Sequence, residues 1–204
     1  MYNVLADENA IETTVKNLTD RGYEVFVVND GNTALEKIKT LIPAGASVMN
    51  GSSATLEEIG YLEYLKSGNH NWKDLHKEVN AENDPVKRRT LRKQATLSDY
   101  YLGSVNGLAQ NGEFVIASST GSQLPHIVFN SPNLIFVVST QKIVPTLADA
   151  IRRMEEYVFP LEDQSLRKKY GVGSMIAKVV IFKRENPALG RKINIILVKE
   201  KLGF

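Results

Sequence analysis

The alternation of helical and strand-like segments at the start of this sequence limits its fold more than any other feature. The spacing of Ile11, Val15 and Leu18 predicts a helix from Asn9 to Arg21. The continuous apolar run from Tyr23 to Val28 then predicts a strand that is covered on both faces. Helix and strand patterns that alternate in this way are typical of βαβ units. The sequence therefore predicts an α/β fold with a mainly parallel sheet.

The same order continues beyond the first strand. Polar residues at 29–32 cap a second helix, which Pro43 and Gly45 end, and residues 47–50 predict a short strand. The next helix has its apolar stripe at Leu56, Ile59, Leu62 and Leu65. Because ligands of such sheets bind at the carboxyl ends of the strands, the loops that follow strands are the places to search for a site.

Residues 100–117 predict a β-hairpin. Apolar segments lie on both sides of Asn111-Gly112, a dipeptide that tolerates positive φ and is a strong hairpin signal. Later in the chain, residues 134–139 predict a buried strand, and residues 178–183 and 193–199 predict an antiparallel pair near a sheet edge. Between them lies an amphipathic helix that we expect to end at Pro160, with a stripe at Leu147, Ile151, Met154 and Val158.

Polar loops that follow predicted strands form the candidate binding site. Their hydroxyls and backbone N–H groups can bind a small anion, and Lys142 can supply positive charge. A plain helix cap after Gly51 and an ordinary Ser/Gly connection after the hairpin fit the same residues, so the patterns leave both interpretations open. The predicted ligand-binding residues are Gly51, Ser52, Ser53, Thr55, Asn106, Ser119, Thr120, Gly121, Ser122 and Lys142.

Composition excludes several classes of site. The chain has no cysteine, which removes disulfides, thiolate nucleophiles, zinc–thiolate sites and cysteine-ligated iron–sulfur clusters. Its histidines, His70, His76 and His126, lack metal-ligand spacing with other ligand types. No dinucleotide fingerprint, Gly-rich lysine loop or Gly-x-Ser-x-Gly elbow is present. We therefore expect neither a metal nor a cofactor.

Charge and hydropathy bear on partners and location. The net charge of +2 is too small to imply nucleic acid by itself. Five cations form a local cluster: Lys87, Arg88, Arg89, Arg92 and Lys93. Such a cluster favours a solvated helix face over a cleft for an acidic ligand, and it lacks the interleaved aromatic residues of a nucleic-acid interface. Without an apolar run that could span a bilayer or a visible signal peptide, we expect a cytoplasmic protein that binds neither nucleic acid nor membrane.

Several stretches of the chain resemble the lactate-utilization (LUD) domain family, which includes the LutC type of protein. They are residues 51–58, 104–112, 115–125 and 136–147, of which the last two are the most specific. The resemblance covers most of the chain and implies that residues 1–204 form a single LUD domain. It also implies a three-layer α/β/α fold with a mainly parallel mixed sheet, of the sugar-phosphate isomerase and CoA-transferase type.

The resemblance implies a LutC-like, small-anion-binding accessory component of L-lactate oxidation to pyruvate. In that pathway the iron–sulfur oxidoreductase subunits are separate chains, which agrees with the absence of cysteine and makes them expected partners. A homodimer is a further arrangement that stays open. The alternative function is an isomerase or an acyl/CoA-transfer enzyme that acts on a phosphosugar or an acyl-CoA, with Glu113 or Glu57 as its acid or base.

The predicted turn departs from the transferase pattern. In related CoA-transferases a Glu-Asn-Gly turn supplies the carboxylate nucleophile, whereas this chain has Gln110 before Asn111-Gly112. An amide cannot form an acyl-glutamyl anhydride, but it can donate and accept hydrogen bonds. We therefore expect Gln110 to bind ligand or contact an oxyanion, and Glu113 stays the candidate acid or base. Whether the protein is an enzyme is left open.

Overall fold

A computed structural model describes residues 2–204, apart from the side chain of Pro187. Its α-helices are α1 (Glu8–Asp20), α2 (Gly31–Leu41), α3 (Ala54–Glu58), α4 (Tyr61–Ser67), α5 (Leu75–Ala81), α6 (Pro85–Gln94), α7 (Leu147–Arg153) and α8 (Phe159–Tyr170). Its strands are β1 (Glu24–Val28), β2 (Ser47–Asn50), β3 (Lys73–Asp74), β4 (Tyr100–Gly103), β5 (Gly107–Ala109), β6 (Phe114–Ser118), β7 (Asn133–Ser139), β8 (Ile143–Val144), β9 (Lys178–Phe182) and β10 (Lys192–Val198). Within this described range, no helix is long and apolar enough to cross a membrane.

A six-stranded parallel sheet forms the middle of the described structure, in the order β1-β10-β7-β4-β2-β3. In β7, Leu134, Phe136 and Val138 face one side of the sheet, where α1 and a second sheet pack. Ile135 and Val137 face the other side, where α2, α3 and α4 pack. Helices therefore cover both faces of a parallel sheet, which confirms the predicted three-layer α/β/α fold.

The second sheet has the order β8-β5-β6-β9 and lies in one of the outer layers. Three aromatic rings join it to the central sheet: the Phe114 ring stacks on Phe182 at 4.7 Å between centroids and meets Phe136 edge-on at 5.7 Å. On its other side, Val115 packs against Ala150 of α7. The second sheet is thus held between the central sheet and α7.

The predicted hairpin is present, but its first half divides between the two sheets. β4 belongs to the central sheet and β5 to the second sheet, so residues 104–106 cross from one to the other. The turn between β5 and β6 closes through hydrogen bonds from the Ala109 N–H to the Glu113 carbonyl and from the Gly112 N–H to the Ala109 carbonyl, each 2.8 Å. Only Gly112 has positive φ (86°), as in a type I turn followed by a glycine bulge.

Two predictions about the strands were wrong, one about the burial of β1 and one about the pairing of β9 and β10. β1 is an edge strand of the central sheet, and its Val27 is 41% exposed, so this strand is not covered on both faces. β9 and β10 do not pair with each other: β9 pairs antiparallel with β6, and β10 lies parallel between β1 and β7. The apolar residues of β10 are buried on both faces, which suits the centre of a parallel sheet, whereas β9 is partly exposed.

Two helix boundaries also differ from the sequence prediction. Gly60, in a left-handed conformation (φ 78°), separates α3 from α4, so the predicted single helix is broken. Pro160 does not end the helix that starts at Leu147, because a wide π-type turn at Met154–Val158 carries the chain into α8. Pro160 lies in the first turn of α8, where a missing N–H is tolerated.

Candidate functional site

A cavity of about 400 Å³ opens where the carboxyl ends of β2, β4 and β6 come together. β2 and β4 are parallel neighbours, so the loops that follow them lie side by side. The loop after β6 reaches the same cavity from the second sheet, and Met154, Val158 and Phe159 close it from the helical side. The cavity therefore lies at the sheet edge that the sequence predicts for a ligand.

Most of the predicted ligand-binding residues meet at this cavity. Those that line it are Gly51, Ser52, Ser53, Thr55, Asn106, Ser119, Thr120, Ser122 and Lys142. Gly121 lies in the same loop but does not line the cavity; its positive φ (82°) turns the loop, and its N–H donates to the Ser118 hydroxyl at 2.9 Å. Loops from distant parts of the chain thus form one polar wall.

The structure does not bring Gln110 and Glu113 to this cavity. The Gln110 backbone carbonyl accepts a hydrogen bond from Asn17 Nδ2 of α1 at 2.8 Å, and its N–H donates to the Val144 carbonyl at 2.9 Å. The Glu113 carboxylate accepts from the side chain of Asn111 at 3.0 Å. The turn that carries both residues packs on α1, so a catalytic role for them stays a prediction without support from this arrangement.

Lys142 is the buried cation of the site. The residue is 3% exposed, and Nζ donates to Thr55 Oγ1 and Ser104 Oγ, each at 3.0 Å. Among the described residues, no Asp or Glu carboxylate forms an ion pair with it within 4.0 Å. Burial lowers the pKa of Lys142 to about 7, and the nearby charge of Arg153 adds to this effect while Glu58 opposes it. The amine and ammonium forms are therefore both present near neutral pH.

The short turn after β7 fixes Lys142 in this position. Ser139 Oγ accepts a hydrogen bond from the Gln141 N–H at 3.3 Å, which begins a single 3₁₀ turn. The Gln141 side chain then donates to the carbonyls of Leu202 and Gly203, at 3.1 and 3.0 Å. This buried network points the next residue, Lys142, toward Thr55.

Arg153 of α7 supports the wall of the cavity from behind. It is fully buried, and Nη1 donates to the Asn106 carbonyl at 2.6 Å and to the Phe204 carbonyl at 3.3 Å. Its guanidinium also lies 5.2 Å from the centre of the Tyr157 ring. Burial lowers the pKa of Arg153 to about 10. Since Asn106 and Phe204 both line the cavity, Arg153 holds two of its lining segments in place.

His126 and Tyr101 form an aromatic wall that the sequence patterns did not predict as part of a site. Their rings stack at 4.6 Å between centroids, and both line the cavity. His126 Nδ1 lies 3.2 Å from the hydroxyls of Ser98 and Ser131. Burial lowers the pKa of His126 to about 4, so the ring is neutral at pH 7. A lone histidine in a short helical segment carries no sequence signal for this placement.

At Gly51, side chains from two other parts of the chain approach the backbone closely. A Cβ at this position would lie 2.5 Å from the Tyr101 hydroxyl and 3.1 Å from Gln123 Oε1. Gln123 is held in turn by a hydrogen bond from Nε2 to the Ala117 carbonyl at 3.0 Å. The close approach of Tyr101 and Gln123 leaves no room for a larger residue, so Gly51 is required for the shape of the cavity.

Three ionisable side chains from the helices also line the cavity. His76 and Arg92 reach it from α5 and α6, and Glu162 reaches it from α8. Arg92 belongs to the predicted basic cluster, whose members are all exposed. Of that cluster, Arg92 alone lines the cavity. Burial raises the pKa of Glu162, which Lys169 partly opposes. In residues 2–204, no group of three or more His, Cys, Asp or Glu side chains could hold a metal ion.

Comparisons with known proteins agree with this architecture. The chain matches the LUD domain family over residues 11–198. It is also similar in structure to a DUF162 family protein from Deinococcus radiodurans, solved at 1.70 Å resolution, with 13% sequence identity and a TM-score of 0.54 over 96% of this chain and 99% of that one. Identity this low shows the fold alone, and no curated protein matches the chain. The family match spans most of the sequence and confirms the resemblance: the chain belongs to the LUD domain family.

Proposed function

We propose that this LUD domain protein binds a small carboxylate of the size of lactate in the cavity, as an accessory component of L-lactate oxidation to pyruvate. The observation that carries the proposal is Lys142, a buried amine that lines the cavity without a carboxylate partner among the described residues. With no cysteine in this chain, electron transfer through iron–sulfur clusters would fall to separate oxidoreductase subunits.

The electrostatics of the cavity favour an anion. A buried charge is costly unless an opposite charge or hydrogen bonds compensate for it. Lys142 has two hydroxyl partners and a second buried cation, Arg153, close enough to lower its pKa. An anion in the cavity would supply the missing opposite charge, so binding should favour the ammonium form of Lys142.

The lining residues suit a small hydroxylated or oxidised carboxylate. Ser53, Thr120 and Ser122 present hydroxyls that can donate to carboxylate oxygens, and the apolar side chain of Met154 also lines the cavity. The volume of about 400 Å³ lies within the usual range for ligand pockets, so a molecule of the size of lactate would fill only part of it. The hydroxyls and the buried lysine, rather than the volume, support a ligand with one charged group.

The alternative enzyme function receives no comparable support. Its proposed acids or bases were Glu113 and Glu57, and neither lines the cavity. Glu57 instead pairs with Lys169 at 3.0 Å on the surface, and Glu113 lies in the turn that packs on α1. We therefore retain carboxylate binding as the main proposal.

A thermal-shift experiment tests this function. L-lactate at about 100 times its dissociation constant should stabilise the protein by about 2.7 kcal/mol, or roughly 5–10 °C for a chain of this size. Replacement of Ser53, Thr120 and Lys142 by alanine together should remove the shift. Lys168→Ala, which removes one charge from an exposed position of α8, should leave it unchanged.

Two results would contradict the proposal. One is an unchanged lactate affinity in the triple variant, which would place the ligand elsewhere. The other is a shift with a pentose phosphate or acetyl-CoA and none with lactate or pyruvate, which would favour the isomerase or acyl-transfer alternative.

A further inference from the structure

We infer that Lys142 forms an imine with small carboxylates that carry a ketone or aldehyde group, so that the cavity holds 2-oxo acids covalently. The inference rests on the proposed function, because the carboxylate must first enter the cavity. It goes further because it assigns the amine of Lys142 as a reactive group and predicts that 2-oxo acids, unlike the corresponding hydroxy acids, bind covalently.

The surroundings of Lys142 are those of a reactive amine rather than a structural ion pair. A structural lysine is normally exposed or paired with a carboxylate, whereas Lys142 is buried and, among the described residues, its Nζ donates hydrogen bonds to two hydroxyl oxygens, Thr55 Oγ1 and Ser104 Oγ. Glu58 is the carboxylate that acts on it electrostatically, but its Oε2 accepts a hydrogen bond from the Gly203 N–H at 2.7 Å. Among the described residues, no ion pair therefore holds this amine, and Lys142 lines the cavity in which a ligand would bind.

The protonation state of Lys142 supports the same role. Only the neutral amine has the lone pair that attacks a carbonyl carbon, and an ordinary lysine is almost fully protonated at pH 7. Burial and the charge of Arg153 lower the pKa of Lys142 to about 7, so the neutral form is abundant there. Burial and a neighbouring cation are the two conditions that activate imine-forming lysines.

The reaction needs no oxidant, reductant or further reactant. The Nζ lone pair forms a bond to the carbonyl carbon, and the carbonyl oxygen takes up a proton to give a carbinolamine. Loss of that hydroxyl group with the remaining nitrogen proton then releases one water and leaves the imine. The hydroxyls of Thr55 and Ser104 contact Nζ and can carry protons between nitrogen and oxygen during these steps.

Borohydride trapping of the full chain tests the inference. The protein is incubated with pyruvate, with glyoxylate or with L-lactate, reduced with sodium borohydride and analysed by intact mass and peptide mapping. We expect one reduced adduct per chain, located at Lys142, with either 2-oxo acid and none with lactate. With the 2-oxo acid kept at a saturating concentration, the yield should rise with pH, and the rise should lie above pH 7 because the bound carboxylate raises the pKa of Lys142.

Two lysine variants provide the matched comparison. Lys142→Arg keeps a positive charge but cannot form the imine, so the adduct should disappear. Lys178→Arg makes the same change at an exposed lysine that lies against Gly121 beside the cavity, and the adduct should persist. Because the mapping is done on the wild-type chain, the test does not depend on whether Lys142→Arg folds.

The outcomes separate this inference from the proposed function. Stabilisation by lactate and pyruvate without an adduct at Lys142, or with adducts spread over exposed lysines, would overturn the imine and leave carboxylate binding intact. An adduct at Lys142 without any shift by lactate would support the imine and contradict the proposed lactate site. If neither lactate nor pyruvate stabilises the protein and no adduct forms at Lys142, both proposals fail.

Discussion

Lactate binding should weaken as the pH rises from 6 to 9. In the unliganded protein, burial and the charge of Arg153 hold the pKa of Lys142 at about 7. A bound carboxylate favours the ammonium form and raises this pKa, so binding takes up a proton above pH 7. The affinity then follows the fraction of the free protein in which Lys142 is already an ammonium group.

The size of the effect follows from the pKa of the free protein. Above pH 7 the ammonium fraction falls about tenfold per pH unit, to about 1 in 100 at pH 9. The dissociation constant for lactate should therefore be roughly 100-fold higher at pH 9 than at pH 6, a loss of about 2.7 kcal/mol in binding free energy. Between pH 5 and 6 the affinity should be nearly constant, because both lactate and Lys142 then keep their charges.

Isothermal titration calorimetry in two buffers with different ionisation enthalpies measures the affinity and the proton uptake together. The uptake should be about half a proton per lactate at pH 7 and should approach about one at pH 8.5. Lys142→Met should bind weakly with no pH dependence in this range. A constant affinity from pH 6 to 9, or no proton uptake at pH 8, would refute the role assigned to Lys142.

Three further predictions follow from contacts of the site. Arg153→Met should raise the pKa of Lys142 and move the pH midpoint of lactate binding upward in the same titration; an unmoved midpoint would contradict the coupling between the two cations. Gly51→Ala should abolish the lactate thermal shift, because its methyl group would lie 2.5 Å from the Tyr101 hydroxyl, and adding Tyr101→Phe should restore part of it; equal loss in both variants would show that the clash lies elsewhere. The free energy of unfolding should fall as the pH drops from 6.5 to 4, since the unfolded chain then protonates His126 and the folded chain does not. In urea titrations, the His126→Gln variant should lose about 2 kcal/mol less free energy of unfolding over this pH range than the wild type; this figure is reduced to allow for the part of the ring that faces the cavity. An unchanged dependence of the free energy of unfolding on pH would count against this assignment.

The sequence predicts where the candidate site lies better than it predicts which residues form the walls of the cavity. Parallel strands place their carboxyl ends on one edge, so polar residues that follow different strands are expected to meet there. Thr55 and Lys142 are 87 positions apart, yet their side chains are in direct contact. This part of the site was predictable because local periodicity identifies the strands and sheet topology then brings the loops together.

The walls of the cavity were not predictable by the same logic. Ser104 contacts Lys142 because residues 104–106 pass between two sheets, and no local pattern shows that a segment changes sheets. Glu162 reaches the cavity because the helix continues past Pro160 through a π-type turn. The Tyr101–His126 stack depends on tertiary packing alone. Each of these residues is placed by contacts that are distant in sequence.

The predicted turn shows how a motif can indicate local structure without locating a site. The hydrogen bonds of Gln110 to α1 and β8 use its main-chain groups, so the fold does not depend on whether residue 110 carries an amide or a carboxylate. Gly112 is needed there because a Cβ would lie 2.9 Å from the side chain of Arg21. The Asn-Gly pair is therefore explained by turn geometry and packing, and it carries no argument for catalysis.

Lys142 presents the opposite case, in which a stable alternative lies close by and is not used. Pairing Lys142 with Glu58 would compensate for the cost of a buried cation, and Glu58 is near enough to influence its pKa. Glu58 instead accepts a hydrogen bond from the Gly203 N–H at 2.7 Å, while Lys142 contacts two neutral hydroxyls. A fold under selection for stability alone has no reason to keep a buried amine unpaired beside an available carboxylate. Sites that bind or react are where such costs are expected, which is why our proposals place the amine of Lys142, rather than the Gln110 turn, at the centre of the candidate site.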